Sequence, residues 1–288
     1  MKNIWILARM TFREAIRRRI VATGLVLGIC FLIIFSIGFH FIIAQVRSSE
    51  SAVQSDIAKM ALARLEDVEG ENALLLAGLY AVTFLSIAMA ALLASDTLAG
   101  EISSGIIQTI LTKPIKRFEV ILGKWLGFAF LLMLYLLLMG GGTVLSVFIQ
   151  TRYVPDHVWI GLGLIYFEAL LIMTISLACS STLSALATGG IVFGLYGLAF
   201  IGGWIEQFGA LIQNSTAVKV GIIASLIIPS ETLWRRAAFE MQTPLTGALG
   251  VSPFGAFSVP SPLMIAYTAV YLIVTLIIAI RVFEKRDI

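Results

Sequence analysis

The chain has 288 residues, of which 59% are hydrophobic and only 13% are charged, and its mean hydropathy is +0.98. These values lie far outside the range of soluble globular domains and indicate an integral membrane protein. The net charge of +3 is small, and the basic residues gather at the ends of apolar runs instead of forming one stripe, which excludes nucleic acid as a partner.

Residues 1–19 predict an amphipathic helix that lies in the headgroup layer of the membrane. Its basic side holds Lys2, Arg9, Arg13 and Arg17, and its apolar side holds Ile4, Trp5, Ala8, Phe12, Ala15 and Ile16. The alternative is a generic basic anchor.

Six apolar runs reach the length that a helix needs to cross a bilayer. They are residues 20–44, 73–95, 118–149, 158–181, 189–205 and 263–280. We therefore predict an all-α integral membrane fold with six transmembrane helices, built as a single transmembrane domain over residues 1–288.

Two longer polar segments, 45–72 and 206–262, are predicted to lie on the outer side. The middle of the first favours one amphipathic helix outside the membrane. The second is too polar and too broken for a plain span, so we expect re-entrant or interfacial helices before the last span. One of these is expected to begin with Ser230 as its cap. Arg235 and Arg236 are interpreted as headgroup anchors, with a substrate site as the alternative.

Residues 96–117 form a polar break between the second and third spans. Apolar residues stripe one side of a short predicted helix at Ile102, Ile106, Ile107, Ile110 and Leu111, while Glu101, Ser104, Gly105, Gln108 and Thr112 take the other side. Pro114 disfavours helix at Lys113 but is tolerated in a first turn, so the chain is expected to bend and restart as a helix through Arg117.

Glu168 is the one acidic residue that lies clearly inside a predicted span. An ionised carboxylate in the bilayer is costly, so the side chain should be protonated, or it should face a polar cavity or a partner helix. Two interpretations stay open: packing with a satisfied hydrogen bond, and a position on the translocation path.

The distribution of basic residues predicts the orientation. With the N-terminus inside, 13 of the 20 basic residues lie in the cytoplasmic segments, which are also the shorter ones. This bias favours both termini in the cytoplasm and an even number of spans.

Several catalytic and metal-binding motifs are missing from the sequence. There is no G-x-x-x-x-G-K-[ST] phosphate loop, so this chain alone is not expected to hydrolyse ATP. Only two histidines occur, and no His-x-x-x-His or Cys-x-x-Cys spacing is present, which argues against a resident metal site. We therefore expect a chain that is not an enzyme and that holds no cofactor.

The segment after the second span resembles the corresponding part of ABC transporter permeases of the ABC type-2 exporter family. The residues that carry the resemblance are Asp96, Glu101, Gly105, Lys113, Pro114, Ile115, Arg117, Gly123 and Lys124. The N-terminal helix is also similar to the elbow helix of that family.

The resemblance implies that residues 96–117 are a cytoplasmic coupling segment that docks into a separate ABC ATPase subunit. The coupling residues would be Asp96, Glu101, Ser104, Gly105, Gln108, Lys113, Pro114 and Arg117. It also implies a non-catalytic permease that works with a second permease subunit in the plasma membrane, surrounded by lipid, while ATP and Mg are bound by the partner ATPase. The alternative is a proton-coupled secondary transporter or channel that uses Glu168.

The charge distribution generates a topology prediction. Lys116 and Lys285 should face the cytoplasm, whereas Asp67 and Lys219 should face the other side. Single cysteines introduced as Lys116→Cys or Asp67→Cys, labelled on intact cells with an impermeant thiol reagent, test this directly. Equal labelling at positions 116 and 67 would mean that the topology is inverted or that the spans are miscounted.

Overall fold

The computed structural model describes residues 2–50, 57–103, 116–244, 254–256 and 258–285. All regular secondary structure within these residues is helical, which confirms the predicted fold class. The helices are α1 (Lys2–Arg17), α2 (Arg19–Glu50), α3 (Ile57–Ser103), α4 (Arg117–Thr151), α5 (Val158–Ser180), α6 (Ala185–Leu211), α7 (Ser215–Ile227), α8 (Ser230–Met241) and α9 (Pro262–Lys285).

Six helices in the described part of the chain are long and apolar enough to cross a membrane. They are Arg19–Gln45, Val68–Gly100, Arg117–Thr151, Val158–Ser180, Ala185–Leu211 and Pro262–Lys285. Each overlaps one of the six apolar runs found in the sequence. The chain is therefore a multi-pass helical membrane protein.

The second span is part of a longer helix than the sequence analysis anticipated. Helix α3 runs without a break from Ile57 to Ser103, so the expected outer helix and the span are one element. The junction contains no proline, and its Glu and Ala residues favour helix. Gly70 is the only strong helix-weakening residue there, and one glycine is tolerated within a long helix.

Helices α3, α4 and α5 form the centre of the bundle, and α2 and α9 lie at its periphery. Polar side chains join the central helices: the Ser176 hydroxyl donates to the Ala91 carbonyl (2.8 Å), and the Trp125 indole donates to the Thr174 hydroxyl (2.9 Å). Such interhelical hydrogen bonds are effective inside a bilayer, because lipid offers these groups no other partner.

Helices α7 and α8 form a pair that bends by 110° at residues 228–229. Either a broken span or a re-entrant loop has this shape, and the pair lies within the segment where re-entrant or interfacial helices are expected. Helix α8 begins at Ser230, but Pro229 occupies the N-cap position and Ser230 is the first helical residue. The cap thus falls one residue before the predicted one.

The amphipathic helix α1 packs closely against the first turns of α4. Gly123 and Gly127 lie one helical turn apart on the contact face of α4. A Cβ atom on Gly127 would come within 2.7 Å of the backbone oxygen of Ala8, and one on Gly123 within 2.5 Å of the Leu7 Cβ. The small-xxx-small spacing therefore allows the two backbones to approach.

This contact generates a stability prediction. Gly127→Val should lower the thermal unfolding midpoint of the purified protein, because the added carbons meet backbone that cannot move aside, at a cost of about 1–3 kcal/mol. Gly141→Val is the matched control in the same helix, since a Cβ there meets no atom within 4 Å. Equal midpoints for the two variants would contradict close packing of α1 on α4.

Candidate functional site

The predicted coupling segment begins in the last turns of α3 and ends at the first residue of α4. Asp96 and Arg117 lie at its two ends, and Glu101 lies in the last turn of α3. The other coupling residues, Ser104, Gly105, Gln108, Lys113 and Pro114, lie outside the described residues, as does most of the predicted amphipathic helix. The structure thus describes how the segment is anchored, and its coupling role stays a prediction.

The first end is anchored to the bend between α1 and α2. Arg18 lies in this bend, and its guanidinium forms an ion pair with Asp96 (3.5 Å) and donates to the Thr97 hydroxyl (3.4 Å). The same guanidinium also pairs with Glu14 at 2.6 Å. The Asp96 side chain is about half exposed, so the pair contributes little stability. It does connect the bend between α1 and α2 to α3 at the point where the segment begins.

The second end is anchored to the last helix. The Arg117 guanidinium donates to the backbone carbonyls of Phe283 (3.4 Å) and Glu284 (3.0 Å) in the final turn of α9. Carbonyls in this position lack intrahelical partners, and a cation there also interacts favourably with the helix dipole. Arg117 therefore joins the start of α4 to the end of α9.

Glu119 adds a third anchor. Its carboxylate accepts hydrogen bonds from the Lys116 backbone N–H (3.1 Å) and from the Asn3 side chain (3.3 Å). The first bond caps α4, and the second holds the start of α1. Sequence reasoning missed Asn3, Arg18 and Glu119. The spacing of Lys116 and Glu119 carried the signal for Glu119, whereas Arg18 looked like any other member of the basic cluster.

A second candidate region lies in the interior of the bundle around Glu168. This side chain, in the middle of α5, is fully buried, and neither of its carboxyl oxygens has a hydrogen-bond partner among the described residues. Glu168 interacts electrostatically with Glu231, a second buried carboxyl group, at the start of α8. The structure therefore brings together two acidic residues that are 63 positions apart in the sequence.

A buried ion pair adjoins these two carboxyl groups. Arg235 of α8 contacts Glu206 of α6 at 2.5 Å, and the two side chains are 1% and 6% exposed. Glu206 also accepts a hydrogen bond from the Ser258 hydroxyl (2.8 Å). The interpretation of Arg235 as a headgroup anchor is therefore wrong. Arg235 follows Glu231 by one helical turn, which places both on the inward face of α8, whereas the neighbouring Arg236 pairs with Glu240 in a partly exposed position.

Tyr80 links these buried glutamates, the acidic cluster of Glu168, Glu206 and Glu231, to a groove. Its hydroxyl donates to Glu231 (3.4 Å) and accepts from the Trp204 indole (3.1 Å). Its ring lines a groove of about 620 Å³ between α2, α3 and α6, together with Phe84, Tyr196 and Phe200. The walls of this groove are almost entirely apolar.

These features define a class of protein: a helical membrane protein with a polar segment anchored at one end of the bundle and buried acidic groups within it. Residues 5–288 match the family described as ABC-2 family transporter protein. Since the match covers nearly the whole chain, the protein belongs to this family, as the resemblance predicted, and is a membrane permease of an ABC transporter. Membership also implies association with an ABC ATPase. A comparison with curated proteins gives no match.

Two substitutions in the acidic cluster should change the stability of the protein in opposite directions. Arg235→Met should lower stability by about 3–5 kcal/mol, because Glu206 would remain buried without its cation. Glu168→Leu should instead leave stability unchanged or raise it, since it removes a buried carboxyl group that has no partner. Thermal unfolding of both variants in the same detergent measures the two effects.

Arg236→Met is the matched control for the first variant, because it removes the same group one residue along, from a partly exposed pair. Its cost should be less than about 1 kcal/mol. If Arg235→Met proves no more destabilising than this control, the Arg235–Glu206 pair is not the buried contact described above.

Proposed function

We propose that this permease is the membrane-spanning subunit of an ABC exporter, and that residues 96–117 couple it to ATP hydrolysis by a separate ATPase subunit. ATP and Mg are bound by that partner, and this chain takes no catalytic part. Two permease subunits, either identical or related, form the translocation path in the plasma membrane of a bacterium or archaeon. Both termini lie in the cytoplasm, and lipid surrounds the outer helices.

The observation that carries this proposal is the way the two ends of the segment are held. Arg18 connects Asp96 to the bend between α1 and α2, and Arg117 connects the start of α4 to the end of α9. A force applied to the segment therefore acts on α1, α2, α3, α4 and α9 together. A solvated connector needs no such anchors.

The mechanism is a mechanical transfer of motion. Closure of the ATPase subunits displaces the segment, and its anchors carry the displacement into the attached helices, which switch the path between two states. Glu168 lies on this path in our proposal, because α5 is the central helix that contacts α3, α4, α6, α8 and α9.

Charge reversal in the segment tests the coupling role. Glu101→Lys should weaken association with the ATPase or uncouple its hydrolysis from transport, since reversed charges at a buried contact cost more than reversed charges at an exposed one. Copurification of the ATPase and its activity in the complex are the measurements. Asp156→Lys is the matched control, because it makes the same change in charge on an exposed residue between α4 and α5.

A second variant separates the two faces of the predicted coupling helix. Ile106→Asp should lower the amount of protein in the membrane, because an apolar residue expected to pack against neighbouring spans becomes charged. If Glu101→Lys leaves complex assembly, ATPase activity and export at parental levels, residues 96–117 are a connector, and the secondary-transporter alternative takes first place.

A further inference from the structure

The interior of the bundle holds more acidic than basic groups. Glu168, Glu206 and Glu231 are all buried, and Arg235 is the only buried cation that contacts them among the described residues. Its direct ion pair is with Glu206. Glu231 lies one helical turn before Arg235 and shares this cation with Glu206, whereas Glu168 has no cation within the described residues. In a region of low dielectric constant, an unpaired carboxyl group gives up its proton when a positive charge binds beside it, so the site favours a cation.

Glu168 supplies an independent observation. It is completely buried and is not held by any hydrogen bond within the described residues, although buried polar groups are almost always paired. One oxygen of Glu231 is likewise without a partner there. Acceptor atoms left open in this way do not stabilise the fold. They are available to a ligand that brings a positive charge.

The groove beside Tyr80 provides an apolar site of suitable size next to these acceptors. Its volume is about 620 Å³, enough for an organic molecule, and six aromatic rings line it: those of Phe31, Tyr80, Phe84, Tyr196, Phe200 and Phe254. The Tyr80 hydroxyl also donates a hydrogen bond to Glu231 at 3.4 Å. Tyr80 therefore belongs both to the groove and to the surroundings of the acidic pair.

Aromatic faces and carboxylates recognise one kind of ligand in common. Aromatic rings attract organic cations through their negative faces, and a desolvated carboxylate attracts the same charge directly. An apolar groove offers a hydrated metal ion no oxygen ligands to replace its water, whereas it buries the carbon surface of a hydrophobic cation favourably.

We propose that the groove and the adjoining pair Glu168 and Glu231 bind a hydrophobic organic cation, and that such cations are the substrate class of this permease. This inference rests on the proposed export function, because it names the cargo of the same path. Tyr80 lines the groove and donates to Glu231, so a rotation of its side chain would let the cation reach Glu231.

Equilibrium binding of tetraphenylphosphonium to the purified permease, without the ATPase, tests the proposal. The parental protein should bind this cation saturably. Tetraphenylborate has nearly the same shape and the opposite charge, so it should bind far more weakly. Glu168→Gln and Glu231→Gln should each weaken cation binding by about thirtyfold or more, the effect expected when one partner of a buried charge pair is lost.

Two controls keep the result interpretable. Glu240→Gln removes an acidic group from the same helix as Glu231, but on the partly exposed side where Glu240 pairs with Arg236, and it should leave cation binding unchanged. Thermal unfolding of each variant shows whether it is folded. Tyr80→Phe keeps the ring in the groove and removes the hydroxyl. It replaces either glutamine variant if that variant is unstable. The folded Tyr80→Phe protein should bind the cation with altered affinity.

The proposal is overturned if binding is absent, if tetraphenylborate binds equally well, or if folded Glu168→Gln and Glu231→Gln variants both bind the cation like the parental protein. Glu101→Lys should bind the cation normally while losing its coupling to the ATPase. Failure of cation binding with intact coupling would therefore reject only this inference, whereas normal binding without ATPase association would reject only the proposed function.

Discussion

The hydrocarbon interior of a membrane offers a polypeptide no hydrogen-bond partners, and this constraint shapes every part of the bundle. Backbone groups are satisfied within helices, and polar side chains in the centre bond to carbonyls of neighbouring helices, as Ser176 does with Ala91. Because lipid offers no hydrogen-bond partners, the polar groups of each helix must bond to groups of the same or a neighbouring helix. Close contacts such as that of α1 with α4, at Gly123 and Gly127, follow from the same requirement.

The two candidate functional regions are places where this requirement is met in unusual ways. At one end of the bundle, Arg18, Arg117 and Glu119 tie the boundaries of the predicted coupling segment to helices that are distant in sequence. In the interior, the Glu168 carboxyl group has no hydrogen-bond partner within the described residues. The first region favours transmission of force between helices, and the second favours recognition of a charge.

The stability of the bundle and its transport function make different demands on the acidic cluster. The contact of Arg235 with Glu206 joins α8 to α6 and holds the bent pair α7 and α8 against the bundle. Glu168 makes no comparable contribution, and a buried carboxyl group without a partner costs free energy. Stability alone would favour leucine at position 168, so a carboxyl group there agrees with the proposed binding of a cation.

The sequence alone determined the helical membrane fold, the six apolar runs and the family resemblance. Each of these depends on composition, segment length or short spacing, which can be read without knowing which residues are neighbours in space. The position of Glu168 within a span was visible for the same reason.

Only the tertiary structure decided what surrounds those residues. Three contacts join residues that are far apart along the chain: Arg235 with Glu206, Glu231 with Glu168, and Arg117 with the last turn of α9. The first two also depend on which face of α8 points inward. Charge and hydropathy in a linear pattern do not specify these contacts, because a short polar helix such as α8 can present the same residues to headgroups or to the interior. The packing of α8 against α5 and α6 settled that choice.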